Sequence, residues 1–277
     1  MYYILYNPTS CDGKANDKID KLYEGLSKLD ECYKLNLLEI TNKEVVFLNS
    51  LQDEDIVYLC GGDGTLNFFL NKIGETKFKC KIFFYGCGSG NDFKRDYKNE
   101  KYIDLGPVRE YISKCIINGE EKYYFVNGIG IGLDAVVCRS KIQQNFTGRK
   151  KNYFGIALSS FKKFRPYSLD AYFDGEIKHF DNVWLLMCNN GRYVGGGMKV
   201  CPNAIRDDGE FDVVIIHDIP RWKIILLFPL IYLGWHKFIK GVEYVKCRSF
   251  RAVPDGCTIF EMDGETLDYV REVKVES

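Results

Sequence analysis

The sequence is poor in the features that usually place a protein quickly. It has three histidines, and although 11 cysteines are spread over its 277 residues, no two of them form a C-x-x-C pair. The common zinc-ligand spacings are therefore missing, and an odd number of scattered cysteines gives no disulfide framework. Reduced, buried thiols in a cytosolic protein are the expectation. Net charge is also missing: lysine plus arginine and aspartate plus glutamate are 38 each, so no nucleic-acid partner is expected. No apolar run is long enough to span a bilayer. The most apolar window, Ile224 to Trp235, is too short and contains Pro229. The start, MYYILYNPTS, lacks the basic segment and apolar core of a signal peptide. There is no internal repeat, no low-complexity segment and no G-x-x-x-x-G-K-[ST] loop.

What is present reads as a folded chain with room for two domains, 46% hydrophobic and 27% charged. The first third alternates. YYILYN, YKLNLLEI, DIVYLC and CKIFFYG are strand-like apolar runs. Between them, Ile19, Leu22, Leu26 and Leu29 recur at helical spacing, Thr41 or Asn42 can cap a short helix through Leu51, and Leu66, Phe69, Leu70 and Ile73 share one face of a helix over 65–73. This alternation predicts a parallel sheet covered by helices on both faces. After about Tyr111 the pattern changes. YYFVNGIGIGLDAVV reads as glycine-rich and extended, LDAYFDGEIKHF as two strands around an Asp-Gly turn, and NVWLLMCNN, GEFDVVIIH, EYVKCRSFRAV and CTIFEMDGE as further strands. The expectation is an α/β domain over 1–115, then an antiparallel sandwich or partial barrel over 116–277, with the extreme C-terminus returning to the first domain.

Three predicted strand ends carry unusual loops: YNPTS at 6–10, GGDGT at 61–65 and GCGSGND at 86–92. Ligands of parallel α/β sheets sit outside the carboxyl ends of the strands. Glycine lets backbone N–H groups approach an anion, and a following helix N-terminus favours negative charge. A nucleotide phosphate is the expected ligand. A carboxylate, Asp63, stands inside one such loop, where it would repel a bare phosphate. A magnesium ion between them reverses that sign, and the other chemical role is to accept a proton from an attacking hydroxyl. The structural alternative is an Asp-Gly turn. The later GIGIGL, at 128–133, lies in the wrong context for a dinucleotide loop and reads as close strand packing.

These stretches, with GSGNDF, NGIGIGLDA, GGGMKVCPNA, DDGEFDVVI and MDGE after them, resemble the diacylglycerol kinase catalytic family, which includes sphingosine and ceramide kinases. At greater distance the sequence is similar to NAD kinases and phosphofructokinases, which share GGDGT. The resemblance implies an N-terminal α/β nucleotide domain, a C-terminal β-sandwich and an active site in the cleft between them. It also implies transfer of the γ-phosphate of ATP, with magnesium, to a lipid hydroxyl, a diacylglycerol-type acceptor first. By the same resemblance Asn7, Pro8, Thr9, Ser10 and Thr41 approach the nucleotide. Gly62, Asp63, Gly64, Thr65 and Asn67 match the phosphate loop, and Ser89 stands where the family often has threonine. Asn91 and Asp92 match the GND segment, with Asp92 helping Asp63 hold a hydrated magnesium. Asp208, with carbonyls near Ile205 and Glu210, matches a second, structural magnesium site. Asp263 and Glu265 match the late acid pair, with Glu265 the proton acceptor and Asp263 or Asp63 the other candidates.

There are departures. Phe68 replaces the family's glutamate after GGDGTLN, and Cys11 and Asp12 displace Gly13 in the first loop. Two other readings stand beside the lipid kinase: a nucleotide- or lipid-binding regulator with weakened turnover, and an NAD kinase-like enzyme. The window Ile224 to Trp235, flanked by Arg221, Lys223, His236, Lys237 and Lys240, is either a core helix or a peripheral contact with an anionic membrane. Monomer and homodimer are both left open. The basic stretch QNFTGRKK, at 143–151 with its flank, reads as a solvated loop.

Overall fold

A computed structural model of the chain describes residues 1–8, 15–147 and 153–276. The chain divides into two compact units, Met1–Ile112 and Ser113–Ser277.

In the first unit the elements run β1 (Tyr2–Tyr6), α1 (Asn16–Leu26), β2 (Cys32–Asn36), α2 (Glu44–Asn49), β3 (Ile56–Gly61), α3 (Asp63–Ile73), β4 (Lys81–Gly86), α4 (Asp92–Asp96), β5 (Ile103–Asp104) and α5 (Leu105–Val108). The sheet order is β2-β1-β3-β4-β5, parallel except for the antiparallel β4–β5 pair. β3 is apolar without alternation because both its faces are covered. Tyr58 and Cys60 pack with Ile19, Leu22 and Leu26 of α1, while Val57 and Leu59 are fully buried. α3 buries Leu66, Phe69, Leu70 and Ile73, the expected stripe. Two helix ends differ from expectation. α1 stops at Leu26, so Leu29 falls outside the helix and is exposed. α2 starts after Lys43 without a side-chain cap, because the Thr41 hydroxyl bonds instead to the Leu37 and Leu38 carbonyls.

The second unit runs β6 (Ser113–Ile117), β7 (Glu121–Phe125), β8 (Gly128–Gly132), α6 (Leu133–Thr147), α7 (Tyr153–Lys163), β9 (Tyr167–Phe173), β10 (Glu176–Asn189), β11 (Phe211–His217), α8 (Arg221–Leu227), α9 (Leu230–Leu233), a 3-10 turn (Trp235–Phe238), β12 (Val242–Cys247), β13 (Ser249–Pro254), β14 (Thr258–Met262), β15 (Glu265–Val270) and β16 (Val273–Glu276). Its strand pairs are all antiparallel among the described residues. The path is β15-β14-β8-β10-β9-β13-β16-β6-β7, with β11 bridging β10 and β12. The expected Asp-Gly turn joins β9 to β10, with Asp174 at φ 51° and Gly175 at φ 90°, the two left-handed residues of a tight hairpin. β16 pairs with β13 and β6 and so stays in this sheet rather than returning to the first unit.

Alternation along the central strands serves two cores. Phe211, Val213 and Ile215 of β11, with Leu186 and Cys188 of β10, face a sandwich-like core fed by strands throughout the unit. Val214 and Ile216, with Leu185 and Met187, face a second core closed by helices. The expectation of an extended GLDAVV segment fails here: the chain turns into α6 at Leu133, and its Leu133 and Val137 cover that second face. The QNFTGRKK reading falls largely outside the described residues.

Candidate active site

In the first unit the chain leaves β1 towards β2 on one side and returns through α2 to β3 on the other. The direction of winding therefore switches between β1 and β3, and the crevice outside their carboxyl ends is the ordinary ligand position of such sheets. Asn7 and Pro8 follow β1 there, and Gly61 and Gly62 end β3 and precede α3. Thr9 and Ser10 lie outside the described residues. Thr41 lies on the same edge, in the turn after β2.

The loops after β3 and β4 are bonded to each other. The Asp63 carboxylate accepts the backbone N–H of Asp92 on Oδ2 at 2.9 Å and that of Phe93 on Oδ1 at 2.9 Å. Asp63 thus caps α4 from another helix and supplies the negative charge a helix N-terminus favours. The N–H groups of Cys87 and Gly88 both reach the Gly61 carbonyl. The two loops approach so closely that a Cβ on Gly88 would stand 2.4 Å from the Gly62 Cα. None of Gly61, Gly62 and Gly64 has a positive φ, so proximity, not backbone freedom, requires glycine at 61 and 62. Asn91 does take the left-handed conformation, at φ 51°, and its Nδ2 donates to the Gly88 carbonyl at 2.6 Å.

The remaining predicted residues of this unit separate by role. Asp92 is buried beside Arg95, 3.6 Å from its Nε. Ser89 is exposed in the same loop. Thr65 packs against Gly61, and Gly64 has open space around it. Asn67 is buried and accepts from Asn71. Phe68 points to solvent, with the Lys72 ammonium 5.5 Å from its ring centre.

In the second unit, MDGE is a hairpin turn. Asp263 at φ 47° and Gly264 at φ 96° join β14 to β15, with Met262 opposite Glu265. The Asp263 carboxylate accepts the N–H groups of Val126, Asn127 and Gly128 at 2.5, 2.8 and 3.2 Å. Asn127 in turn accepts from the buried Arg206 at 2.7 Å, and its carbonyl takes the N–H groups of Asn190 and Gly191. Asp263 is thus a knot between motifs distant in sequence. Glu265, two residues on, is exposed.

Beneath this turn lies a carboxyl pair that sequence reasoning missed. The Asp134 oxygens are buried, and neither meets a well-formed hydrogen-bond partner among the described residues. They lie over Gly130, where a Cβ would stand 1.6 Å from Oδ2, and Gly130 is the cross-strand partner of the buried Glu261. Glu261 accepts the Gly264 N–H at 3.1 Å, and the Cys138 thiol donates to the Gly264 carbonyl at 3.0 Å. Burial raises both carboxyl pKa values, and for Glu261 the adjacent Asp134 charge adds to it. Glycine at 130, within a motif read only as strand packing, was the available sign: it leaves room for the Asp134 carboxyl.

At the implied structural magnesium site, Asp208 Oδ1 accepts the Glu210 N–H at 3.0 Å and Oδ2 pairs with Lys246 at 2.7 Å. Glu210 also reaches Lys246, at 3.4 Å, and Ile205 is exposed. Burial pushes the nearby Asp212 carboxyl up to about 6, with Lys246 opposing. In this arrangement Lys246, shared between Asp208 and Glu210, is the cation that stands where a metal would meet them. Among the described residues no three His, Cys, Asp or Glu side chains group to hold one.

The helical side of the second unit holds a partly open apolar cavity of about 80 Å³. Leu185, Met187, Met198, Ile216, Phe228 and Ile231 are among its walls, and Asp134 and His236 are the titratable groups on them. Burial lowers the His236 pKa, which keeps the ring neutral.

Comparison with known proteins agrees with both units. The family model described as "YegS C-terminal NAD kinase beta sandwich-like domain" matches residues 127–274, more than half of the chain, and "Diacylglycerol kinase catalytic domain" matches residues 1–121. A Bacillus subtilis (strain 168) protein named "Putative lipid kinase YtlR" is 28% identical over 226 residues, 75% of this chain and 72% of that protein. A Mycobacterium tuberculosis protein named "Diacylglycerol kinase" is 26% identical over 227 residues, 76% of this chain and 70% of that protein. A crystal structure of a diacylglycerol kinase from Bacillus anthracis str. Sterne has the same fold, with TM-score 0.66, 17% identity, and coverage of 99% of this chain and 92% of that chain. With both units matched in order along its length, the chain belongs to the diacylglycerol kinase catalytic family.

Proposed function

We propose that the protein is a lipid kinase that transfers the γ-phosphate of ATP to the hydroxyl of a diacylglycerol-type acceptor. The observation that carries the acceptor class is the apolar cavity of the second unit. Walls so largely apolar favour apolar groups, and a chain end of an acyl lipid meets that chemistry. It offers a dinucleotide few polar partners, which disfavours an NAD kinase-like acceptor. The nucleotide half rests on the crevice at the β1–β3 switch and on the first-turn N–H groups of α3.

In the proposed reaction the acceptor oxygen forms a bond to the γ-phosphorus, the bridging bond to the β-phosphate breaks, and ADP leaves. Magnesium enters bound to the nucleotide as part of that substrate and offsets its charge. Each Asp63 oxygen spends one lone pair on an α4 amide and keeps another, so the carboxylate can still accept from the water shell of that ion. Glu265, exposed and free of the bonds that occupy Asp263, takes the acceptor's proton. Asp263 holds the turn on which Glu265 stands.

The test is binding of a short-chain diacylglycerol, read by displacement of a fluorescent fatty acid from the parent and from Met187→Trp, which fills the cavity. Displacement in the parent and none in a folded variant is expected. Equal displacement in both would place the acyl chain elsewhere.

A further inference from the structure

The segment from α8 to the 3-10 turn is apolar on both faces. Its inner side chains, Ile224, Phe228 and Ile231, line the cavity. Its outer ones are exposed: Trp222 by 65%, Leu226 by 68%, Trp235 by 59% and Phe238 by 79%. A helix on the surface of a water-soluble unit normally presents polar residues outward, and an exposed apolar patch marks a contact surface. Between Asp218 and Glu243, which both pair with His217, the sequence contains Arg221, Lys223, Lys237 and Lys240 and no aspartate or glutamate, in a chain whose total charge balances. Arg221 is turned inward to the Phe161 and Phe164 carbonyls, which leaves the three lysines for an outside partner.

We infer that this face docks on an anionic lipid bilayer, with Trp222, Leu226, Trp235 and Phe238 entering the interface and Lys223, Lys237 and Lys240 meeting lipid phosphates. Apolar side chains ringed by cations fit such a surface: aromatic rings sit at the headgroup level, and each lysine near an anionic leaflet adds attraction. A second copy of the chain would bring the same lysines against each other, so charge complementarity favours the bilayer. No helix among the described residues is long and apolar enough to cross a membrane, so the contact is peripheral. The inference concerns where the protein rests and does not depend on phosphoryl transfer.

The sequence supplies a local probe. Of its three tryptophans, Trp222 and Trp235 lie on this face, whereas Trp184 is buried with its N–H bonded to the Ile219 carbonyl. The full chain is mixed with phosphatidylglycerol vesicles or phosphatidylcholine vesicles and followed by sedimentation and by tryptophan emission. Co-sedimentation with phosphatidylglycerol and a shift of emission to shorter wavelength are expected, with much weaker binding to phosphatidylcholine. Trp222→Ser with Phe238→Ser should weaken partition at least about tenfold. Lys223→Glu with Lys237→Glu and Lys240→Glu should weaken it about a hundredfold on phosphatidylglycerol and erase the preference between lipids. If the aromatic pair fails to fold, the charge variant decides alone. A parent that stays in solution with phosphatidylglycerol overturns the inference, as does binding that neither variant reduces. Self-association of the parent that Trp222→Ser with Phe238→Ser abolishes, without vesicle binding, would assign the face to a second copy instead. Turnover on a short-chain, water-dispersed acceptor separates loss of docking from loss of kinase activity.

Discussion

The backbone N–H of Asp92 donates to the Asp63 carboxylate at 2.9 Å, so an acid inside one glycine loop holds the start of the helix that follows another. A carboxylate in a loop suited to phosphate is explained first by this bond and its neighbour at Phe93. The two loops are bonded to each other at this point, so the proposed nucleotide site depends on the cap.

Asp63→Ala is therefore expected to cost stability as well as nucleotide affinity. Loss of a helix cap is worth about 0.5–2 kcal/mol, read by urea unfolding. Asp63→Asn keeps one carbonyl acceptor and should lose less stability, while magnesium–ATP binding by calorimetry falls in both variants. A variant with unchanged stability would contradict the cap.

The contact between the loops predicts opposite outcomes at two glycines. Gly88→Ala places a methyl against the Gly62 backbone and should destabilise by about 1–3 kcal/mol. Gly64→Ala meets nothing within 4 Å and lies in the first turn of α3, so stability should hold or rise by up to about 1 kcal/mol. Urea midpoints of the two variants decide.

Burial raises the Asp134 pKa from 3.8 to about 7. The folded chain keeps this proton over a range in which the unfolded chain has released it, so rising pH between those values costs stability, and the cost is complete above the folded value. Asp134→Asn has no such proton. Parent and variant should be nearly equal in stability near pH 3.8 and below, and the variant should be the more stable above about pH 7. Unfolding midpoints across that range that run parallel would contradict an ionising carboxyl at this position.

Asp263 and Glu265 should separate in kind. Asp263→Ala strands three N–H groups that now meet a carboxylate, with an expected loss of about 3 kcal/mol of stability. Glu265→Gln, at an exposed position, should change stability by no more than about 0.5 kcal/mol and lower turnover by a factor of about 10² to 10⁴. Unfolding curves and steady-state rates on the same samples distinguish the two.

Much of the first unit was legible because β1, β3 and β4 are apolar runs closed by glycine or a turn, and because Leu66, Phe69, Leu70 and Ile73 keep helical spacing. The Asp174–Gly175 hairpin was legible from its two residues. The start of α6 was not: the glycines before Leu133 belong to β8, and only the packing of Leu133 and Val137 on the second face reveals the helix. The Asp134–Glu261 pair joins residues far apart in sequence through cross-strand register, which no local pattern carries. Ile231 reads like its neighbours in the apolar window, yet it is buried while Leu226 and Trp235 face outward.

The most direct measurement is transfer of radiolabelled γ-phosphate from ATP to dispersed acceptors, diacylglycerol and NAD in parallel, by the parent and by Glu265→Gln. The account predicts label in the lipid phase with the parent on diacylglycerol, loss of that label in the folded variant and none on NAD. Label on NAD, or nucleotide binding without label on any lipid offered, would contradict it.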